Sequence, residues 1–166
     1  QKGIDLLLDV MEELIAQEQQ LQLLVLGSGD TKFEAQLIQL AQDPEFQGKI
    51  CFLRGFSPEL ANRIYAAGDF FLIPSRFEPC GLTDFIAQLF GNIPVVHHVG
   101  GLVKVIDNVT GLAYGGRFPD DLFNGLRRAL DLYKDKQRLR RMQQRAVEEL
   151  DALWSPGYWE DLQNLL

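Results

Sequence analysis

The sequence is poor in cysteine, in basic side chains and in long apolar runs. Its 166 residues include only two cysteines, Cys51 and Cys80, which excludes a disulfide framework and fits a reducing compartment. Sixteen basic against 23 acidic side chains give a net charge of −7, which argues against a nucleic-acid partner and against a membrane surface. No run of 18 apolar residues and no basic leader occurs, so we predict neither a transmembrane helix nor a signal peptide.

Histidine is equally scarce. His97 and His98 are the only two, and adjacent residues of a strand point to opposite faces of the sheet. They therefore make a poor joint metal site, and no cluster of cysteines or carboxylates beside them in sequence completes one. The sequence predicts no metal and no cofactor, and we interpret both histidines as polar residues at the end of a strand.

Hydrophobic residues make up 46% of the chain, enough for the core of one globular domain spanning 1–166. Short apolar runs alternate with segments of helical periodicity, which predicts a Rossmann-like α/β fold, a parallel sheet with helices on both faces. The predicted strands are 21–26, 50–53, 70–73, 94–96 and 112–114. The predicted helices are 3–18, one closed near Asp43-Pro44, one begun by Ser57 and Pro58, then 81–90, 120–134, 136–152 and 154–166.

Ligands of such folds bind beyond the carboxyl ends of the strands, where four loops meet: 27–30, 54–57, 75–83 and 97–102. The first contains Gly27-Ser28-Gly29, but the third glycine of the dinucleotide fingerprint is absent because position 32 is lysine. A lone G-x-G is a weak signal. A tight turn is therefore favoured over a phosphate-binding loop.

The loop 75–83 carries the strongest chemical signal. Gly81, Leu82 and Thr83 fall at the first turn of a helix, where backbone N–H groups lack partners and favour anions. This turn is a candidate diphosphate cradle, and Glu78 just before it would bind sugar hydroxyls or, alternatively, merely cap the helix. The glycine pair Gly100-Gly101 either completes the site or serves a loop that needs positive φ.

Phe56 follows the second predicted strand. An exposed ring at that position would stack on a nucleobase. The alternative is a core phenylalanine, and most of the eleven phenylalanines of this chain must be core residues. From the residues alone the core interpretation is favoured.

Taken in order, five motifs resemble the C-terminal half of bacterial glycogen synthase and plant starch synthase. They are Q-K-G-I-D-L-L-L, G-S-G-D, G-F-S, A-G-D-F-F-L-I-P-S-R-F-E-P-C-G-L-T and V-G-G-L. The resemblance runs along the whole chain. It implies a GT-B enzyme of two Rossmann-like domains that transfers glucose from ADP-glucose, without a metal and with retention, to the non-reducing end of an α-1,4-glucan.

The same resemblance implies roles for the residues of the turn. Lys2 of Q-K-G contacts the donor phosphates and Glu78 lies near the transferred glucose, and these two are the candidate catalytic residues. Cys80 and Gly81 form the turn beside the sugar. This implication replaces an alternative reading of Cys80 as a nucleophile.

The remaining implied residues bind the nucleotide. Phe56 matches the aromatic residue that stacks on adenine. Leu82 and Thr83 match the backbone cradle of the distal phosphate, and Gly100 and Gly101 match the family's glycine pair. A bacterial enzyme of this kind is cytoplasmic, and a plant or algal one lies in the plastid stroma.

The sequence departs from the family's pattern at several positions. His97-His98 replace two arginines, 103–106 replaces A-D-T-V, and Asp84 puts a negative charge beside the proposed phosphate site. These changes leave the donor open between ADP-glucose and UDP-glucose. Relatives using other sugar donors pair the glutamate with a second one eight positions on, and position 86 is isoleucine. A non-catalytic nucleotide- or glucan-binding module is a further alternative.

The resemblance also implies that a first strand and an acceptor-binding domain precede Gln1. On that basis this chain is the donor-binding domain, and alone it does not synthesise glucan. Incorporation of glucose from ADP-glucose by the isolated chain would refute that expectation.

Overall fold

The structure is a computed structural model that describes the fold of residues 1–153 and the surroundings of side chains as far as residue 150. Within the described range, four α-helices and five strands occupy the first 114 residues, and two more α-helices follow. The strands are β1 (Leu23–Gly27), β2 (Ile50–Arg54), β3 (Phe70–Ile73), β4 (Ile93–His97) and β5 (Leu112–Tyr114). The helices are α1 (Ile4–Gln17), α2 (Thr31–Gln42), α3 (Pro58–Ala67), α4 (Leu82–Leu89), α5 (Pro119–Lys134) and α6 (Lys136–Leu153). The helix predicted over 154–166 lies outside the described residues.

All strand pairs are parallel, as the alternation of elements predicts, but the strands form two sheets. β1 pairs with β2, and β4 lies between β3 and β5. β1 and β3 are not hydrogen-bonded to each other. The alternation predicts one continuous sheet, but in this chain the sheet is interrupted between β1 and β3.

Helices cover both faces of the three-stranded sheet. Consecutive residues of β4 show this. Val95 packs with residues of α5 and α6, whereas Val96 packs on the opposite face with Leu102, from the short 3-10 helix Gly100–Lys104, and with Val105, which follows it. Both valines are completely buried. Such strands, apolar on both faces, are typical of parallel sheets between two helical layers.

α1 buries one stripe of leucine, isoleucine, valine and methionine side chains, spaced three and four residues apart, against the domain core. Part of this stripe packs with Phe46 and Ile50, and part with Tyr114 and Leu122. The helix therefore joins the region of the two-stranded sheet to α5. In the part of the chain that the structure describes, no helix is both long enough and apolar enough to cross a membrane.

Candidate functional site

The turn between β3 and α4 begins a helix without a side-chain cap. Gly81 is the N-cap residue with φ 66°, and it offers no side chain to accept a hydrogen bond from the first turn. The N–H groups of residues 82–84 therefore have no partner within the helix. Together with the positive end of the helix dipole they favour an anion in front of the turn.

Glu78 lies beside this turn and does not cap α4. The ammonium of Lys2 donates to its Oε2 at 2.6 Å, and the Ser75 hydroxyl donates to the same oxygen at 3.2 Å. The Lys2 hydrogen bond, against an opposing effect of burial, lowers the pKa of the Glu78 carboxyl below its ordinary value, with further contributions from Ser75 and the Gly81 N–H. The side chain is 13% exposed, so an ionised carboxylate is held in a partly buried position. The interpretation of Glu78 as a helix cap is wrong.

The glycine pair after β4 packs directly on the backbone of the turn. The Gly101 N–H donates to the Glu78 carbonyl oxygen at 2.8 Å. Gly100 has φ +51°, and a Cβ there would collide with the same carbonyl oxygen. A Cβ on Gly101 would collide with the Cys80 carbonyl group. The positive φ at Gly100 is what the loop interpretation predicted, whereas the close packing of both glycines on the turn 78–81 was not predicted from the sequence.

Phe56 is 90% exposed, so the core interpretation favoured by the residues alone is wrong. The ring follows β2 in the two-stranded sheet, between Gly55, with φ +130°, and the N-cap Ser57. It is available for stacking. Among the described residues no hydrogen bond or aromatic pair links Phe56 to Lys2 or to Glu78, which lies in the loop after β3 of the other sheet.

The remaining predicted site residues lie on an open surface. Leu82 is 65% exposed, and Thr83 and Cys80 are exposed as well. Cys80 is a free thiol whose carbonyl oxygen, rather than its sulfur, is engaged, by Lys104 at 2.7 Å. These three residues therefore lie on an open surface and not in an enclosed pocket.

The G-x-G turn after β1 already contains an internal anion. The Gly29 N–H donates to Glu34 Oε1 at 2.9 Å, and the other oxygen of Glu34 forms an ion pair with Arg54 at 2.8 Å. Glu34 is buried. Since a carboxylate of the chain satisfies this amide, the structure supports the tight-turn interpretation over a phosphate-binding loop.

The two histidines lie in different surroundings. His97 is buried, with Nδ1 2.9 Å from the Ser75 carbonyl oxygen and its ring stacked on Tyr114. His98 is exposed, and its Nε2 lies 3.2 Å from the Val103 carbonyl oxygen. Within the described range no three or more His, Cys, Asp or Glu side chains are grouped as metal ligands.

Two further contacts of the site were not predicted from the sequence. Arg76 donates two hydrogen bonds of 2.6 Å to the Asp5 carboxylate, and the Arg76 N–H donates to the Gln1 carbonyl oxygen. These contacts fix residues 1–5 against the loop after β3 and so place Lys2 beside Glu78. The sequence did carry a sign of this contact. Asp5 follows Lys2 by three positions, and Arg76, of opposite charge, precedes Glu78 by two.

The model of the family described as "Glycosyl transferases group 1" matches residues 1–147. The chain belongs to this family. It is 37% identical over 163 residues to a glycogen synthase of Desulfitobacterium hafniense, covering 93% of this chain and 34% of that protein. It is 40% identical over 165 residues to a glycogen synthase of Granulibacter bethesdensis, with 93% and 33% covered. The chain thus spans about a third of the length of these curated relatives.

Solved structures agree with the family. The catalytic domain of starch synthase IV from Arabidopsis thaliana, bound to ADP and acarbose, matches with a TM-score of 0.74 and 27% identity. The match covers 88% of this chain and 32% of that one. The fold of this group 1 glycosyl transferase chain is that of one domain of a GT-B glycosyltransferase, as its sequence motifs predict.

Proposed function

We propose that this group 1 glycosyl transferase chain is the donor-binding domain of a glycogen or starch synthase. The enzyme would transfer glucose from ADP-glucose to the non-reducing end of an α-1,4-glucan with retention. The observation that carries the proposal is the cluster of Lys2, Glu78, the uncapped start of α4 and the glycine pair Gly100-Gly101. The glycogen synthase relatives and the ADP-bound starch synthase support the choice of donor.

The chemistry of this proposal is the management of charge. As ADP leaves, negative charge grows on the diphosphate and positive charge grows on the anomeric carbon. The N–H groups of Leu82 and Thr83 and the Thr83 hydroxyl would hold the distal phosphate, and the Lys2 ammonium would offset its charge. Preorganised donors of this kind often supply the largest part of a catalytic effect.

Glu78 takes the complementary part. Its carboxylate, ionised beside Lys2, would orient the glucose and stabilise positive charge on the sugar. We do not assign it as a covalent nucleophile. Cys80 and Gly81 would form the wall beside the sugar, while Phe56 would stack on adenine at the other end of the donor.

The acceptor requires a second wall. Because the site lies on an open surface, with Leu82 and Phe56 exposed, water would reach the reacting carbon from the opposite side. We propose that a second domain binds the glucan and closes this face, and that it lies in the two thirds of the relatives' length that this chain does not match. The reaction would take place in the bacterial cytoplasm, or in the plastid stroma of a plant or alga.

Calorimetric titration of the chain with ADP, UDP and a soluble α-1,4-glucan tests the proposal. We expect ADP to bind more tightly than UDP, and Phe56→Ala to weaken ADP binding by about 5- to 150-fold, the range of one base–aromatic stack. Phe118→Ala is the matched control, because Phe118 is also largely exposed, at 74%, and belongs to none of the proposed contacts.

Three results would count against the proposal. Tighter binding of UDP than of ADP would favour a transferase of the UDP-glucose class. Glucan binding without nucleotide binding would favour a binding module. An equal loss of ADP affinity in Phe56→Ala and Phe118→Ala would remove the assigned stacking role.

A further inference from the structure

Asp84 and Lys104 form a buried ion pair directly behind the turn. Asp84 is completely buried, its Oδ1 lies 3.2 Å from the Lys104 ammonium, and neither carboxylate oxygen has a well-aligned hydrogen bond within the described residues. A cavity of about 50 Å³ adjoins the pair, and Glu149 is the other charged residue that lines it. Since burying a carboxylate is costly, such a pair calls for an explanation.

The Lys104 ammonium does more than neutralise Asp84. It donates to the carbonyl oxygens of Cys80 and Gly81 at 2.7 and 2.6 Å, and it lies 4.1 Å from the centre of the Phe85 ring. One cation thus binds two consecutive peptide groups of the turn from the inner side.

The orientation of these two carbonyl groups also fixes the direction of the N–H groups in the same peptides. A trans peptide is planar, and its N–H points away from its C=O. The Cys80 carbonyl shares a peptide group with the Gly81 N–H, and the Gly81 carbonyl shares one with the Leu82 N–H. With both carbonyls held inward by Lys104, both N–H groups face outward. The Gly81 N–H indeed contributes to lowering the pKa of the Glu78 carboxyl.

We propose that Lys104, held by Asp84, is a positioning residue that fixes two peptide groups of the turn so that their N–H groups face Glu78 and the donor diphosphate. This inference rests on the proposed function for the diphosphate and on the turn itself for Glu78. It also gives a role to Asp84, which the anion-binding argument left unexplained. Gly81 fits the same arrangement, because a Cβ there would lie 2.9 Å from the Lys104 nitrogen.

The test compares three variants of the chain. Lys104→Met removes the cation, and the double variant Asp84→Asn/Lys104→Met removes it without leaving an unpaired buried carboxylate. Lys136→Met is the matched control, since Lys136 also lies over an aromatic ring, that of Tyr133, but contacts no part of the turn. Each variant is titrated with ADP and with adenosine, and the Glu78 carboxyl is titrated by carbon NMR without nucleotide.

The double variant is expected to bind ADP about tenfold more weakly, with adenosine affinity unchanged, and the pKa of Glu78 is expected to rise. Lys136→Met should match the wild type in all three measurements. A folded double variant with wild-type ADP affinity and an unshifted Glu78 pKa would overturn the inference. If the wild-type chain does not bind ADP, the proposed function fails, while the Glu78 titration still decides whether Lys104 orients the turn.

Discussion

Gly100 is a residue at which the backbone leaves no room for a side chain. Its φ of +51° is left-handed, and any Cβ would collide with the Glu78 carbonyl oxygen. We therefore expect Gly100→Ala to lower the free energy of unfolding by about 1–3 kcal/mol from backbone strain. Urea denaturation measures this change, and ADP affinity should fall as well because Glu78 is displaced.

Gly29→Ala is the control for this substitution. Gly29 has no positive φ, and no atom lies within 4 Å of an added Cβ, so its free energy of unfolding should stay within about 0.5 kcal/mol of the wild type. Equal effects of the two substitutions would show that the contact between Gly100 and Glu78 does not constrain the turn.

Local chemistry decided which site residues the sequence revealed. The uncapped helix start at 81–83 was predictable, because glycine and a free N–H group act within a few residues. The exposure of Phe56 was not predictable, because the sequence of a short strand does not show whether the side chain that follows it is buried or exposed. Lys104 was missed because it meets Gly81 across 23 positions of the chain, and only the packing of the loops brings them together.

At the scale of the elements, the cap of α3 fixes the loop that carries Phe56. The Ser57 hydroxyl accepts a hydrogen bond from the Leu60 N–H at 3.2 Å, and Pro58 follows as the first helical residue. Ser57→Ala should therefore lower the free energy of unfolding by about 1 kcal/mol, measured by urea denaturation.

The control is Ser28→Ala. Ser28 lies in the exposed turn after β1 and makes no side-chain hydrogen bond within the residues that the structure describes. An unchanged unfolding midpoint in Ser57→Ala, or an equal loss in Ser28→Ala, would contradict a capping role for Ser57.

Element positions were largely predictable because apolar periodicity and capping residues are local signals. The helix predicted over 3–18 is Ile4–Gln17, and the one predicted over 120–134 is Pro119–Lys134. The first strand begins two residues later than predicted, at Leu23, because Leu21 packs against the core without entering the sheet. Hydrophobicity marks burial, whereas strand bounds depend on pairing.

At the scale of the whole molecule, the sequence did not predict which strands pair with each other. Alternating strands and helices predict parallel strands, but they do not say which strands are neighbours. The division between β1 and β3 therefore appears only in the structure. The resemblance to glycogen and starch synthases implies a further strand before Gln1, and that strand remains a prediction.

Two ion pairs that link the N-terminal segment to the loop after β3 make stability depend on pH. Arg76 lowers the pKa of Asp5, and Lys2 lowers the pKa of Glu78, below ordinary values of 3.8 and 4.5. A carboxyl whose pKa is lowered in the folded state stabilises the fold fully at pH values above its ordinary pKa. This stabilisation is lost as the pH falls through the lowered pKa. Asp84 acts in the opposite sense, because burial raises its pKa.

We therefore expect Asp5→Asn to lower the free energy of unfolding by about 0.5–1 kcal/mol at pH 7. The difference in this free energy between the variant and the wild type should become smaller as the pH falls below about 3.8. Urea denaturation at several pH values measures both effects. Glu12→Gln is the control, since Glu12 is exposed on the same helix and makes no ion pair within the described range. A constant difference between Asp5→Asn and the wild type at all pH values would contradict the linkage.

The central claim is that this surface binds the diphosphate of a nucleotide sugar. Proton–nitrogen NMR of the chain, titrated with ADP-glucose, tests it most directly, because each backbone N–H reports separately. The largest shifts should occur at Leu82 and Thr83, with smaller ones at Gly81 and Gly101, whose N–H groups already face Glu78. The absence of shifts, or shifts confined to a different surface such as the depression of about 490 Å³ beside Ile38 on α2, would contradict the account.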